Sequence, residues 1–492
     1  MVSGLPQPAD QLLGASGGFV EHGRGRDAER IPVDPGGPAS RLAPTVVPPH
    51  HLGVRGHQSL YRNQVIVARS MGVMEGVLHL AACSKGNVKH TVRERRPHVS
   101  TGGPSRCCRR CWRVVGLSFA AGLWGTAATA QVPRASLDSQ FTAAATAFRR
   151  EHQVPGLAIG VLNHDAVVYA RGFGVLRTGT DRSVTPATLF HMASITKTFV
   201  AAGVMQLVEA GRVSLDAPVT RYVPDFAMKD LRYRDITVRQ LLTHTAGMPD
   251  VTDYRWDHPE YDSGALGRYI HGLRDSTLIA APGARWRYSN IGFELLADLI
   301  AVVSGEEFET YVQHHILTPL GMRHSTLLFT DVDSSSLAWG HEVRRERTVP
   351  TRSYPYNRRH AGSSTLHSDV NDMLRYAQAN LHRGELDGQR ILPQSAYDQL
   401  WHPQRDITTI ARSLYRQAGR AWTYDTCSIG LAWFLCQRRH ERVLFHGGED
   451  VGFETYLLLM PATNAAIVVM GNADDIDIDT LAEQLATILE RE

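Results

Sequence analysis

The stretch Ser194-Ile195-Thr196-Lys197 opens an apolar run that continues to about Ala210 and stops at Gly211. The run predicts a helix, whose first turn carries unsatisfied N–H groups and the positive end of the helix dipole. Residues three apart share a helix face, so the Lys197 amine lies within reach of the Ser194 hydroxyl. A nucleophile beside a possible base suits covalent catalysis. The choice of lysine is informative. Of 52 basic residues only Lys85, Lys89, Lys197 and Lys229 are lysine, which leaves 48 arginines. Arginine does not give up its proton, whereas a buried lysine can. Lys197 alone among the four has a serine three positions before it. The plain alternative is a surface lysine near an unrelated serine, and these four residues alone do not separate the two.

The chain has 492 residues, 43% hydrophobic and 21% charged, which fits a globular protein with a substantial core. Its net charge of +3 conceals a division. Residues 1–130 hold 16 Lys+Arg against 7 Asp+Glu, whereas residues 131–492 hold 36 against 42. The second part is acidic overall and offers no basic patch for nucleic acid.

Residues 1–106 are rich in Gly, Pro, Arg and His without sustained periodicity, and are expected to be a disordered or wrongly assigned N-terminal extension. Residues 107–130 read as a signal peptide. Arg109, Arg110 and Arg113 form its basic start, Val114 to Trp124 its apolar stretch, and Ala128-Thr129-Ala130 a cleavage site before Gln131. A signal belongs at a chain start, so the true start is expected downstream of Met1. A short anchor over Val114 to Ala130 is the competing reading, at the bottom of the spanning range. The expectation is a periplasmic or secreted protein with no stable membrane anchor after cleavage. Cys83, Cys107, Cys108 and Cys111 all precede the cleavage site, and the cluster lacks the second ligand pair of a zinc site, so no metal is implied. Cys427 and Cys436 bracket Ser428 to Leu435, which reads as one strand. That spacing places them roughly 30 Å apart and predicts two free, buried thiols.

The remainder, residues 135–492, reads as one folded unit. A helix is expected over Gln140 to His152, then a hairpin of Gly156–Leu162 and Ala166–Ala170 about Asn163-His164-Asp165. Short helices follow at Val238–Leu242, Gly292–Val303, Phe308–Leu317 and Asp369–Leu381. Strands return at Ile429–Leu435, Val443–His446, Glu454–Met460 and Ala465–Met470, and Asp479–Glu490 closes as a helix. Strands at both ends and helices between predict an α/β (α+β) fold, with one sheet built from both termini and a helical region inserted.

Two further stretches carry candidate site residues. Tyr288-Ser289-Asn290 follows Pro282-Gly283 and precedes a helix near Ile291, so a phenol and an amide two apart can face one cleft. Tyr61-Arg62-Asn63 matches the same pattern, so the tripeptide alone is not specific. His446-Gly447-Gly448 stands at the end of a predicted strand, where glycine lets a substrate backbone approach, although a simple turn would read the same way.

Ser-x-x-Lys, Tyr-x-Asn 94 residues later and His-Gly-Gly near the C-terminus together resemble the class C β-lactamase and penicillin-recognising carboxypeptidase superfamily. Leu241-Leu-Thr-His-Thr-Ala-Gly247, Pro319-Leu-Gly-Met322 and Ala361-Gly to Leu366-His-Ser-Asp369 look like that family too, so the likeness spans roughly residues 135–490. The resemblance implies an α/β sandwich, an antiparallel sheet with helices on both faces and an all-helical subregion. It implies Ser194 as nucleophile and either Lys197 or Tyr288, or the two together, as base. Tyr288 would pass a proton to the leaving group, Asn290 would hold the substrate amide or the lysine, and the N–H groups of Ser194 and Glu449 would bind the oxyanion. No cofactor is implied. His244 invites a triad reading, but a base is already present and it reads as structural.

One departure bears on substrate. The β-lactamase form of the third motif is Lys-Thr-Gly and then usually a hydroxyl residue; here His446, Gly447, Gly448 and Glu449 stand there. The cation and hydroxyls that hold a β-lactam carboxylate are missing. The sequence therefore points to an exported serine hydrolase acting on a small-molecule or peptide substrate, with D-alanyl peptides or short-chain esters plausible. A true class C-type β-lactamase, or a slow-turnover penicillin-binding sensor, are the alternatives.

Overall fold

Residues 134–344 and 347–491 are described in the computed structural model. The extension, the signal with its cleavage site and the four early cysteines lie outside the described residues. Helix α1 (Arg134–Glu151) leads into a hairpin of β1 (Gly156–Asn163) and β2 (Ala166–Gly174). Three long helices follow among short ones: α2 (Thr196–Glu209), α3 (Asn290–Ser304) and α4 (Val370–Leu381). The chain then returns through β3 (Arg405–Asp406), α5 (Thr408–Gln417), β4 (Thr426–Ile429), β5 (Phe434–Arg438), β6 (Glu441–Asp450), β7 (Phe453–Met460), β8 (Ala465–Gly471) and α6 (Ile478–Leu489). The eight strands form one antiparallel sheet in the order β2-β1-β8-β7-β6-β5-β4-β3. Its two parts, from either side of the helical region, are joined by the pairing of β1 with β8, from Leu157↔Gly471 to Leu162↔Ala466. The sheet built from both termini is therefore present, with the helical region inserted between its halves.

Strand period decides which layer each side chain enters. Leu157, Ile159, Val161, Val443, Phe445, Leu458 and Val469 pack on one face against Phe141, Phe148, Leu481 and Leu485 of α1 and α6. Ala158, Leu162, Leu444, Leu457 and Val468 pack on the other face against Phe199, Phe293, Val370 and Leu374. Among the described residues no helix is long and apolar enough to cross a membrane.

The expected single strand from Cys427 to Cys436 is corrected. The segment is a hairpin, with Cys427 directly opposite Cys436 at a Cα separation of 4.1 Å, and the two form a disulfide. The chain reverses over residues 430–433, where Ala432 takes a φ of +65° and Gly430 N–H bonds the Trp433 carbonyl at 2.8 Å. The turn escapes a sequence reading because it is apolar. Leu431, Ala432 and Trp433 are buried in the core instead of facing water. His446-Gly447-Gly448, expected at the end of a strand, lies inside β6. β5 pairs with β6 only up to Phe445, so residues 446–450 bond β7 alone and leave their other edge open.

Candidate active site

The open edge of β6 meets the start of α2. Ser194 sits in a one-turn 3-10 helix, Ala193–Ile195, that runs straight into α2. Ala193 holds a φ of +46°, a strained conformation for alanine of the kind that clusters at functional sites. The preceding Met192 carbonyl accepts from the Thr455 hydroxyl at 3.0 Å, which ties the turn to β7. A Cβ on Gly448 would stand 2.2 Å from that carbonyl, so only glycine lets β6 pass this close to the nucleophile's turn. Beyond it, Asp450 accepts from Ser364 Oγ and lies 2.8 Å from His191 Nε2, which fastens the end of β6 to the segment before Ser194.

Lys197 Nζ is 2.9 Å from Ser194 Oγ and donates to the Ser363 carbonyl at 2.9 Å. The side chain is fully buried, and burial pulls its pKa from 10.5 down to about 8; Glu294, Asp450 and Asp250 oppose that fall. Burying the ammonium by that margin costs about 3 kcal/mol. Ser363 reaches the lysine because Gly362 lies against α3, where a Cβ would be 2.1 Å from the Phe293 carbonyl. Glu294 accepts from Gly362 N–H at 2.8 Å and from Ser363 Oγ, so one buried carboxylate both anchors this segment and faces the lysine.

The Tyr288 phenol faces Ser194, which acts to lower its pKa, and its ring centroid lies 5.0 Å from Lys197 Nζ. Burial raises its pKa far above 10, so the phenol keeps its proton at neutral pH. His244 stacks on Tyr288 with centroids 4.1 Å apart, and its Nδ1 accepts from Ser289 N–H at 3.2 Å. Burial, with the fields of Lys197 and His446, holds it well below the ordinary histidine range, so it is neutral. Asn290 opens α3, and its backbone N–H and side-chain amide both donate to Asp250, at 2.8 and 3.1 Å. The amide therefore points to a carboxylate, and Lys197 donates its hydrogen bonds to Ser194 and Ser363.

His446 is fully buried, its Nδ1–H donating to the Gly447 carbonyl at 2.7 Å while Nε2 has no partner. Burial and Lys197 push its pKa down to about 3, so it carries no charge. Ser194, Tyr288, Gly447, Gly448 and Glu449 line one cleft. Each of the three motifs contributes to that lining, whereas the predicted site residues Lys197, Asn290 and His446 are buried and are not among the residues that line it. Asp250, Glu294, Ser363 and Asp450 have no counterpart in the sequence reading, although Ser363 lies inside the quoted Ala361–Asp369 stretch. His324, Asp369 and Asp372 form the cluster with metal-ligand spacing found among the described residues. Its oxygens serve backbone N–H groups of His324, Ser325 and Asp372, and it stands apart from the residues lining the cleft.

A sheet built from both termini, an inserted helical layer and a Ser-x-x-Lys pair at their junction define the β-lactamase and penicillin-binding class. The β-lactamase family model matches residues 141–487, and the chain belongs to that family. Protein flp of Staphylococcus aureus (strain MW2) is 26% identical over 337 residues, 68% of this chain and 63% of its own length, so this chain spans less than two thirds of that relative. Penicillin-binding protein 4 of Amycolatopsis lactamdurans is also 26% identical, over 66% of this chain and 83% of its own. Among solved structures, the octameric penicillin-binding protein homologue from Pyrococcus abyssi is similar at a TM-score of 0.61 and 25% identity, covering 72% of this chain and 77% of that one. A class C β-lactamase shares the fold at a TM-score of 0.58 and 20% identity, over 73% of this chain and 98% of its own.

Proposed function

We propose that the protein is an exported serine hydrolase that forms an acyl-enzyme through Ser194 and turns over neutral esters better than β-lactams. The observation that carries the reading is the 2.9 Å contact between Ser194 Oγ and a fully buried Lys197 whose pKa lies near 8. Neutral Lys197 takes the Ser194 proton as Oγ attacks the carbonyl carbon, with Tyr288 as a protonated partner. The N–H groups of Ser194 and Glu449 receive the oxyanion. The tetrahedral intermediate expels its leaving group with a proton passed through Tyr288. Water then attacks the Ser194 ester by the same route and releases the acid. The Cys427–Cys436 disulfide supports export, since such bonds persist in oxidising compartments.

Substrate preference follows from charge. A β-lactam brings a carboxylate that must leave water, and poor pairing of it costs several kcal/mol. His446 is neutral, and Glu449 lines the cleft. Arg420 also lines it but is engaged by Asp477, with Asp479 at 3.6 Å and Glu454 at 3.7 Å. We expect kcat/KM for a short-chain nitrophenyl ester to exceed that for nitrocefin by at least about a hundredfold, and Glu449→Ser to narrow the gap. Equal turnover of the two by the wild type contradicts this preference. Acylation by nitrocefin without release would place the protein with slow-turnover penicillin binders.

A further inference from the structure

The cleft does not end at Ser194. It continues beneath α5 along the sheet face that also carries α6. Phe434, Phe445 and Tyr456 come from three adjacent strands, β5, β6 and β7, and form its floor as a stack with centroids 5.2 and 5.3 Å apart. Leu414 of α5, with Trp286 and Trp422, closes over them. Gly447 pairs with Tyr456 on this face, and the missing side chain leaves the passage from Ser194 to the aromatic floor open. Arg420, which also lines the cleft, is surrounded by Glu454, Asp479, Asp477 and Glu449. That excess of carboxylates offers nothing to an anionic group.

We propose that this channel is a substrate subsite for an uncharged apolar chain attached to the scissile ester. The inference rests on Ser194 being the nucleophile, because the reacting hydroxyl and the aromatic floor line one continuous cleft. Alkyl and aryl groups gain here by leaving water, at roughly fourfold in binding for each methylene buried. The chain can belong to the acyl or to the alcohol half of the ester, and the two halves are separable by experiment.

Nitrophenyl acetate, butyrate, octanoate and laurate vary the acyl side; ethyl, butyl, octyl and dodecyl acetate vary the alcohol side. In one series kcat/KM is expected to climb by on the order of a hundredfold between the butyl-length and the octyl-length member. Ala411→Trp, which adds bulk from α5 into the channel, is expected to cut the octanoate-to-acetate (or octyl-to-ethyl) ratio by about tenfold or more. Flat or falling values in both series of the wild type overturn the subsite. Fluorophosphonate labelling of Ser194 run on the same preparation separates the two ideas. Labelling with flat series sinks the subsite alone, whereas absence of labelling sinks the nucleophile on which it rests.

Discussion

Lys197 is held between two opposing effects. Burial favours the neutral amine, and Glu294, Asp450 and Asp250 favour the cation. A base with a pKa near 8 is protonated below that value and cannot accept the Ser194 proton, so kcat/KM should rise with pH and level off above about 8. A profile flat through that pH contradicts the base role. Lys197→Arg keeps the charge and removes the ability to accept a proton, so it should lose at least about a hundredfold in kcat/KM, close to Lys197→Ala. An arginine variant retaining above about a tenth of wild-type activity would refute the assignment. The Ser194–Lys197 pair was legible because it depends only on helix geometry. The three carboxylates around the lysine were not, since they arrive from a loop, a helix and a strand far apart in sequence. Ser363 acts through its backbone carbonyl, which leaves no mark on residue type. Whether lysine or tyrosine is the base also needed burial, which favours a neutral Tyr288.

At the scale of elements, the β4–β5 hairpin is where alternation failed as a guide. A polar turn would have split the run Cys427–Cys436, but Leu431, Ala432 and Trp433 serve the core and the run stays apolar throughout. The disulfide joins residues 9 apart, a short loop for which cross-linking is worth about 2–3 kcal/mol. Cys427→Ala with Cys436→Ala should lower unfolding stability by about that amount in a denaturant titration, with activity retained at moderate temperature. Unchanged stability would mean that the bond constrains little. Helices α2, α3 and α4, by contrast, fell within a residue or two of their predicted bounds. Each has a clear end: Gly211 after α2, the Ser289 cap before α3 and the Asp369 cap before α4.

For the whole molecule, the sheet built from both termini was legible because apolar alternating runs cluster at the two ends of residues 135–492. The pairing of β1 with β8 joins segments about 300 residues apart; the placement of the strands predicted a shared sheet, and the choice of partner within it was not legible. Export with cleavage at the small-residue site predicts that the secreted protein begins at Gln131, by N-terminal sequencing. A mature chain beginning near Met1 would remove the signal-peptide reading and leave the disulfide without its expected compartment.

The nucleophile is tested most directly by covalent labelling. A fluorophosphonate probe should modify the wild-type protein at a single site, mapped by peptide mass spectrometry to the segment holding Ser194. Ser194→Ala should abolish that adduct and reduce ester turnover by several orders of magnitude, as removal of a catalytic serine does in enzymes of this kind. Labelling of Ser194→Ala at full strength, or an adduct mapped to another residue in the wild type, would show that Ser194 is not the nucleophile.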